Sequence, residues 1–165
     1  MVHLDIRRAS PDDAEELCEL LNEIIEAGGT TALETPLSIE ELTDWFIAGE
    51  SALTCHVAQA GASIAGFQFL SLYENLPEGW ADIGTFSRMS PKIRGVGTAL
   101  FAATLSAAEE LSIEFINATI RADNTGGLAY YEKMGFRTYR TLENIPLRDG
   151  TLVDRIQKRY PVKKI

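Results

Sequence analysis

Hydrophobic and polar residues alternate with period two over residues 2–8, where Val2, Leu4 and Ile6 are interleaved with His3, Asp5 and Arg7. That spacing predicts a half-buried strand. The period then lengthens: Ala14, Leu17, Leu21, Ile24 and Ile25 form a helical stripe. Ser10 can cap this helix, Pro11 suits its first position, Asp12 and Asp13 suit its first turn, and Gly28-Gly29 ends it. Ser38 with Glu41 three residues on makes a capping box for a second, short helix that stops at Gly49. Trp45 and Phe46 lie at helical spacing with Leu42, so both are expected to pack against a sheet.

Residues 54–60 and 64–72 are β-prone runs separated by Gly61-Ala62-Ser63, the pattern of a hairpin. A third run, 80–88, contains Gly84, where a bulge or a close backbone approach is expected. Residues 97–110 read as a helix, 113–121 as a buried strand and 125–133 as a helix ended by Gly135. Residues 136–142 and 152–160 read as late strands joined around Arg148-Asp149-Gly150. The order β, α, α, β, β, β, α, β, α, β, β predicts an α/β protein with a mixed sheet and helices on both faces.

Composition narrows the class. A chain of 165 residues, 45% hydrophobic and 24% charged, can build one domain with a sizeable core, and residues 1–165 are read as that single domain. The formal net charge of −9 argues against binding nucleic acid through its phosphates and suits a cationic partner better. No apolar run approaches the roughly 20 residues of a membrane helix, and the N-terminus lacks a signal-peptide stretch, so a cytoplasmic protein with no membrane partner is expected. Cys18 and Cys55 have neither CxxC nor His spacing and are expected as core thiols. His3 and His56 read as strand residues, no cluster has metal spacing, and no metal is expected. The basic run Arg155, Lys158, Arg159, Lys163 and Lys164 reads as a solvated strand edge and tail.

Against this acidic background, one basic glycine loop stands out: Lys92-Ile93-Arg94-Gly95-Val96-Gly97-Thr98 lies where a strand passes into a helix. Free N–H groups at a helix N-terminus, the helix dipole, and two nearby cations together favour an anionic phosphate. A tight turn with no ligand is equally compatible with the two glycines. The dinucleotide fingerprint would need a third glycine where Leu100 stands, and a P-loop would need a Gly-Lys-Ser/Thr end, so neither NAD nor ATP is favoured.

A second cluster begins at Asn124 and runs to Tyr130-Tyr131-Glu132-Lys133-Met134-Gly135-Phe136. Seven residues, about two helical turns, separate Asn124 from Tyr131, which puts both near one face. Both could meet one ligand; alternatively Asn124 caps the helix, a tyrosine packs in the core and Gly135 is a C-cap. Together the two stretches resemble the GCN5-related N-acetyltransferase (GNAT) superfamily. Its phosphate loop has the form Arg/Gln-x-x-Gly-x-Gly/Ala, and its later element reads Asn-x-x-Ala-x-x-x-Tyr-x-x-x-Gly-Phe. Lys92 departs from the first pattern and keeps a donor without planar geometry. Gly127 replaces the alanine of the second, at a cost of about 1 kcal/mol in helix stability unless a close approach explains it.

The resemblance implies about seven strands and about four helices, with acetyl-CoA as cosubstrate and a small-molecule amine as acceptor in a ternary complex. It assigns the cofactor to Phe86 and Ser87 through their backbone, to residues 92–98 (Lys92, Ile93, Arg94, Gly95, Val96, Gly97, Thr98), to Asn124 and to Tyr131. Tyr131 matches the tyrosine that faces the cofactor sulfur, and Asp82 falls where the family often carries a carboxylate base. The segment from Gly28 to Glu41, with Ile83-Gly84-Thr85-Phe86, is similar to phosphinothricin and methionine sulfoximine acetyltransferases. That similarity implies an amino-acid-like acceptor near Thr31, Glu34, Tyr73 or Trp80. A noncatalytic acyl-CoA sensor and a protein lysine or N-terminal acetyltransferase are the competing readings. Dimers are common on this fold, but nothing in the sequence selects a homodimer interface.

Overall fold

The computed structural model describes residues 2–162, so Lys163 and Lys164 of the basic run lie outside it. Strand β1 spans Asp5–Arg8, and a 3-10 turn at Pro11–Asp13 leads into helix α1, Ala14–Ala27. Helix α2, Ile39–Leu42, widens into a π-helical turn at Thr43–Ala48. Next come β2 (Ala52–Ala60), β3 (Ser63–Ser71), β4 (Trp80–Ser87), α3 (Val96–Glu110), β5 (Phe115–Arg121), α4 (Thr125–Met134), β6 (Arg137–Pro146) and β7 (Leu152–Pro161). The element order is the one the hydrophobic pattern predicts.

The strands form one mixed sheet in the order β1-β2-β3-β4-β5-β7-β6, with β4 and β5 its parallel pair. Period-two alternation along β3 divides the core. Phe67 and Phe69 face α1 and α2 beside Leu17, Leu21 and Phe46, while Leu70 joins Ile116, Ile120, Phe101 and Phe136 beneath α3 and α4. A third cluster of Ala58, Ala65, Val96 and Leu100 anchors the start of α3 against β2 and β3, with Leu4, Ile6 and Ile93 packed on it. Cys18 and Cys55 are both buried and free, as expected of core thiols.

Four local expectations are corrected. Strand β1 is shorter than 2–8 because its partner runs out: Asp5 pairs with Gln59, and β2 ends one residue later at the Gly61 turn. Gly84 makes no bulge; the β3–β4 register is continuous through Phe69 and Gly84, and the glycine instead clears space for the Phe69 ring. Only Phe46 of the aromatic pair packs on the sheet, stacking on Phe69 at 3.9 Å between centroids, while Trp45 is 40% exposed. The two rings meet edge-on at 6.2 Å between centroids, with Trp45 on the solvent side, and the π turn closes because Gly49 has no Cβ to strike the Asp44 carbonyl. Strand β6 continues past residue 142 to Pro146, where it still pairs with Leu152 of β7.

Candidate active site

The parallel strands β4 and β5 pair through only three positions, Trp80 with Phe115, Ala81 with Ile116 and Asp82 with Asn117. Beyond that point β4 remains bonded to β3, with Phe86 opposite Phe67 and Ser87 opposite Gly66. Its other edge is unpaired. Arg88 donates from its backbone to the Ala65 carbonyl, so by the antiparallel alternation Phe86 turns its backbone groups toward Phe67 of β3. It is Ser87 whose backbone groups face the open edge, available to an extended ligand laid down as an added strand, and the backbone role expected of Phe86 is corrected accordingly.

Asp82 stands at the last paired position. Asn117 donates from Nδ2 to Asp82 Oδ1 at 2.8 Å, and Tyr139 donates its hydroxyl to Asn117 Oδ1. Burial pushes the Asp82 carboxyl up to about 6, and only the Asn117 hydrogen bond opposes it. A carboxylate of that value is poised to exchange a proton near neutral pH. On the same side, Trp80 packs against Phe115 and Tyr139, and the Arg159 guanidinium lies over all three rings.

Tyr131 faces the opening from the other side. It is buried on α4, and its hydroxyl lies 2.8 Å from Thr85 Oγ1. Burial raises the phenol well above its ordinary value and the nearby Asp82 charge adds to this, so the group is neutral at physiological pH. Gln68 Nε2 donates both to Thr85 Oγ1 at 2.9 Å and to the Tyr130 hydroxyl at 3.0 Å. Tyr130 in turn donates to the Gly97 carbonyl at 2.7 Å.

The glycine loop ends in Gly95, which caps α3 in the left-handed conformation with φ of 82°. Among the described residues no side chain caps this helix, so the N–H groups of its first turn point outward without a protein acceptor. Ile93 and Val96 turn inward onto the third core cluster, leaving Lys92, Arg94 and Thr98 exposed. Neither Lys92 nor Arg94 has a carboxylate at salt-bridge distance among the described residues. Gly97 is glycine for a different reason: a Cβ there would strike the Tyr130 ring.

Asn124 caps α4, accepting from the Gly127 N–H at 2.9 Å, and its Nδ2 donates to the Thr30 carbonyl at 2.9 Å. The Asn124 amide lies where a Cβ of residue 127 would be, which accounts for the glycine in place of alanine. The loop after α1 is thereby tied down, helped by Arg121 donating to the Thr31 carbonyl and by Glu34 accepting from the Arg148 N–H. The four acceptor candidates fall in two places. Thr31 and Glu34 belong to this tied loop, whereas Tyr73 and Trp80 line a cavity of about 500 Å³ with Tyr139, Arg140 and Gln157. A larger groove of about 740 Å³, bordered by Glu15, Glu16, Glu19 and Arg88, lies against α1 and the β2–β3 hairpin. Its acidic wall opposes phosphate binding.

Sequence reasoning passed over Gln68, Asn117 and Tyr139, and named Thr85 only within a motif. Two of these carried a signal. Gln68 and Asn117 are lone amides in apolar strand runs, both 0% exposed, and a buried amide requires partners. Among the described residues no cluster of His, Cys, Asp or Glu could hold a metal, and no helix is long and apolar enough to cross a membrane.

A family model described as the Acetyltransferase (GNAT) domain matches residues 3–137. The chain is 24% identical over 163 residues to “Putative phosphinothricin acetyltransferase YwnH” of Bacillus subtilis (strain 168), covering 97% of this chain and 96% of that protein. An N-acetyltransferase structure from Staphylococcus aureus Mu50 matches with a TM-score of 0.86 at 19% identity, over 98% of this chain and 99% of its own. A GNAT superfamily phosphinothricin acetyltransferase (Pat) from Sinorhizobium meliloti, solved in complex with AcCoA, matches with a TM-score of 0.81 at 18% identity, over 96% and 88%. The structural matches are likenesses of fold, and the family match spans the splayed strands, the uncapped α3 and the α4 tyrosines; this chain belongs to the GNAT acetyltransferase family.

Proposed function

We propose that residues 1–165 act as one acetyl-CoA-dependent N-acetyltransferase domain whose acceptor is the amine of a small, amino-acid-like molecule. The observation that carries this reading is the parting of β4 and β5 after Asp82 and Asn117. It leaves an unpaired strand edge flanked by Asp82 and Tyr131 and leading to an uncapped helix N-terminus. Those features fit a long anionic thioester. The first-turn N–H groups of α3, with Lys92 and Arg94, hold a diphosphate, and the open β4 edge at Ser87, beside Phe86, holds the amide-bearing arm.

Bound acetyl-CoA supplies an activated acyl group on sulfur. Asp82 accepts, through water, the proton that the acceptor amine must lose before it attacks, since an alkylamine of pKa about 10.4 is mostly protonated at neutral pH. Tyr131 donates a hydrogen bond to the sulfur as the carbon–sulfur bond breaks. Its raised phenol holds its proton more tightly than a thiol of pKa about 8.5, so its part is hydrogen-bond donation. From its protonated form the acceptor loses two protons as the carbon–nitrogen bond replaces the carbon–sulfur bond: one passes through Asp82 to solvent before attack, and the other is balanced by the proton that the departing thiolate gains.

Support for an amino-acid-like acceptor comes from the names of the relatives and from the cavity at Tyr73 and Trp80, whose lining residue Tyr139 is joined through Asn117 to Asp82. Release of free thiol from acetyl-CoA, measured against a panel of amino acids, phosphinothricin, methionine sulfoximine and simple amines, tests the proposal. Turnover with an α-amino acid or its analogue supports it. Tight acetyl-CoA binding without thiol release for any amine overturns it in favour of a noncatalytic sensor.

A further inference from the structure

Gln68 is wholly buried in the middle of β3, within an otherwise apolar run, and its amide reaches two hydroxyls at once. The direction of each hydrogen bond in this group can be worked out from its fixed end. The Gly97 carbonyl can only accept, so Tyr130 donates its single hydroxyl hydrogen there. Tyr130 must then accept from Gln68, which fixes the Gln68 NH₂ toward the hydroxyls. The second Gln68 N–H goes to Thr85 Oγ1.

Thr85 has one hydrogen of its own. Among the described residues its hydroxyl has two hydrogen-bond partners, Gln68 and Tyr131. Since Gln68 is already the donor on one side, the Tyr131 oxygen is the acceptor that the half-buried Thr85 hydroxyl finds among the described residues, 2.8 Å away. Tyr131 therefore accepts from Thr85. Its own hydrogen is the one donor in the series that no protein group takes up. A cooperative series of this kind also polarises its terminal O–H, making it a better donor.

We infer that Gln68 and Thr85 are positioning residues that lock the Tyr131 hydroxyl hydrogen away from the protein and toward the gap between β4 and β5, where a thiolate sulfur would receive it. This rests on the proposed placement of the cofactor sulfur at Tyr131. Neither residue touches the reacting atoms, and both act through Tyr131. The same series ends on the Gly97 carbonyl in the first turn of α3, so the helix that offers N–H groups to phosphate also sets the polarity of the hydroxyl that meets the sulfur.

The test uses coenzyme A itself bound to the full chain and needs no acceptor. The thiol–thiolate equilibrium of the bound coenzyme is followed by the ultraviolet absorbance of the thiolate as pH is raised. In the unaltered protein the bound thiol should ionise at lower pH than the free thiol, near 8.5. Thr85→Val should move this equilibrium back toward the free value by about tenfold, the worth of one hydrogen bond to a charged group. Thr85→Ser, which keeps the hydroxyl, should titrate like the unaltered protein, and this guards against a folding defect at residue 85. Tyr131→Phe should shift the equilibrium at least as far, and adding Thr85→Val to it should change nothing more. If Thr85→Val titrates like the unaltered protein while Tyr131→Phe does not, the positioning role is overturned and the Tyr131 contact stands. If Tyr131→Phe leaves the titration unchanged, the sulfur does not meet Tyr131, and both the placement and the inference built on it fall.

Discussion

Asn117 donates to Asp82 across the last position at which β4 and β5 are still paired. One residue further the strands part, so the amide that closes the sheet also holds the carboxylate at the mouth of the opening. Tyr139 orients the same amide by donating to its carbonyl. The arrangement explains how a carboxylate can be desolvated enough to reach about 6 while its geometry stays defined.

Replacing Asp82 by Asn is expected to separate activity from stability. The folded carboxyl value lies above the ordinary value of 3.8, so the advantage of the neutral form is full below about pH 4 and is lost as pH rises through about 6. At pH 7.5 ionised Asp82 therefore weakens the fold, by about 2 to 3 kcal/mol. Asp82→Asn should be more resistant to urea than the wild type at pH 7.5, with the difference shrinking between pH 6 and pH 4. Its kcat should fall about a hundredfold. In the wild type, kcat/KM should rise with pH through about 6, a limb that the variant should lack.

Tyr131→Phe keeps the ring that packs against Tyr130 and Phe136 and removes only the hydroxyl. Steady-state kinetics should show kcat reduced by roughly ten- to a hundredfold, with KM for acetyl-CoA within about twofold of wild type. An equal loss in cofactor affinity would mean that the hydroxyl contributes to ground-state binding instead.

Gly84→Ala places a methyl group into the Phe69 ring. That ring cannot easily retreat, because it is stacked on Phe46 at 3.9 Å and flanked by Phe86. Overpacking of this kind costs about 1 to 3 kcal/mol. Denaturant unfolding should register that loss, together with weaker coenzyme A binding, since Phe86 lies on the same splayed edge.

Gly127→Ala tests the junction between α4 and the loop after α1. Alanine gains about 1 kcal/mol in helix propensity, but its methyl displaces the Asn124 amide that caps α4 and binds the Thr30 carbonyl. Loss of that cap costs a similar amount. Global stability should therefore change little, while amide hydrogen exchange over residues 29–36 should accelerate.

How much of this was legible beforehand depended on how local each cause was. Ser38 with Glu41, Gly28 and Gly135 are caps whose meaning is complete within a few residues, and the element order follows from such signals. Gly95 was readable as part of a turn between a strand and a helix, and its positive φ there is what the structure adds. Gly97 and Gly127 were readable only as glycines. What each makes room for, the Tyr130 ring and the Asn124 amide, arrives from other elements. Gln68 and Asn117 announced buried polar groups, but the Gln68 partners lie 17 and 62 residues away, and of the Asn117 partners only Thr119 is local, Tyr139 and Asp82 lying 22 and 35 residues away along the chain. The acceptor candidates suffered most, because Thr31 and Glu34 are spent on loop contacts that no periodicity encodes.

The most direct test of the central claim is a crystal structure of the full chain with coenzyme A. The account predicts the diphosphate on the N–H groups of Val96, Gly97 and Thr98, the arm along Phe86 and Ser87, and the sulfur within hydrogen-bond distance of the Tyr131 hydroxyl. A diphosphate bound in the groove between Arg88 and the acidic face of α1, with the gap between β4 and β5 unused, would contradict it.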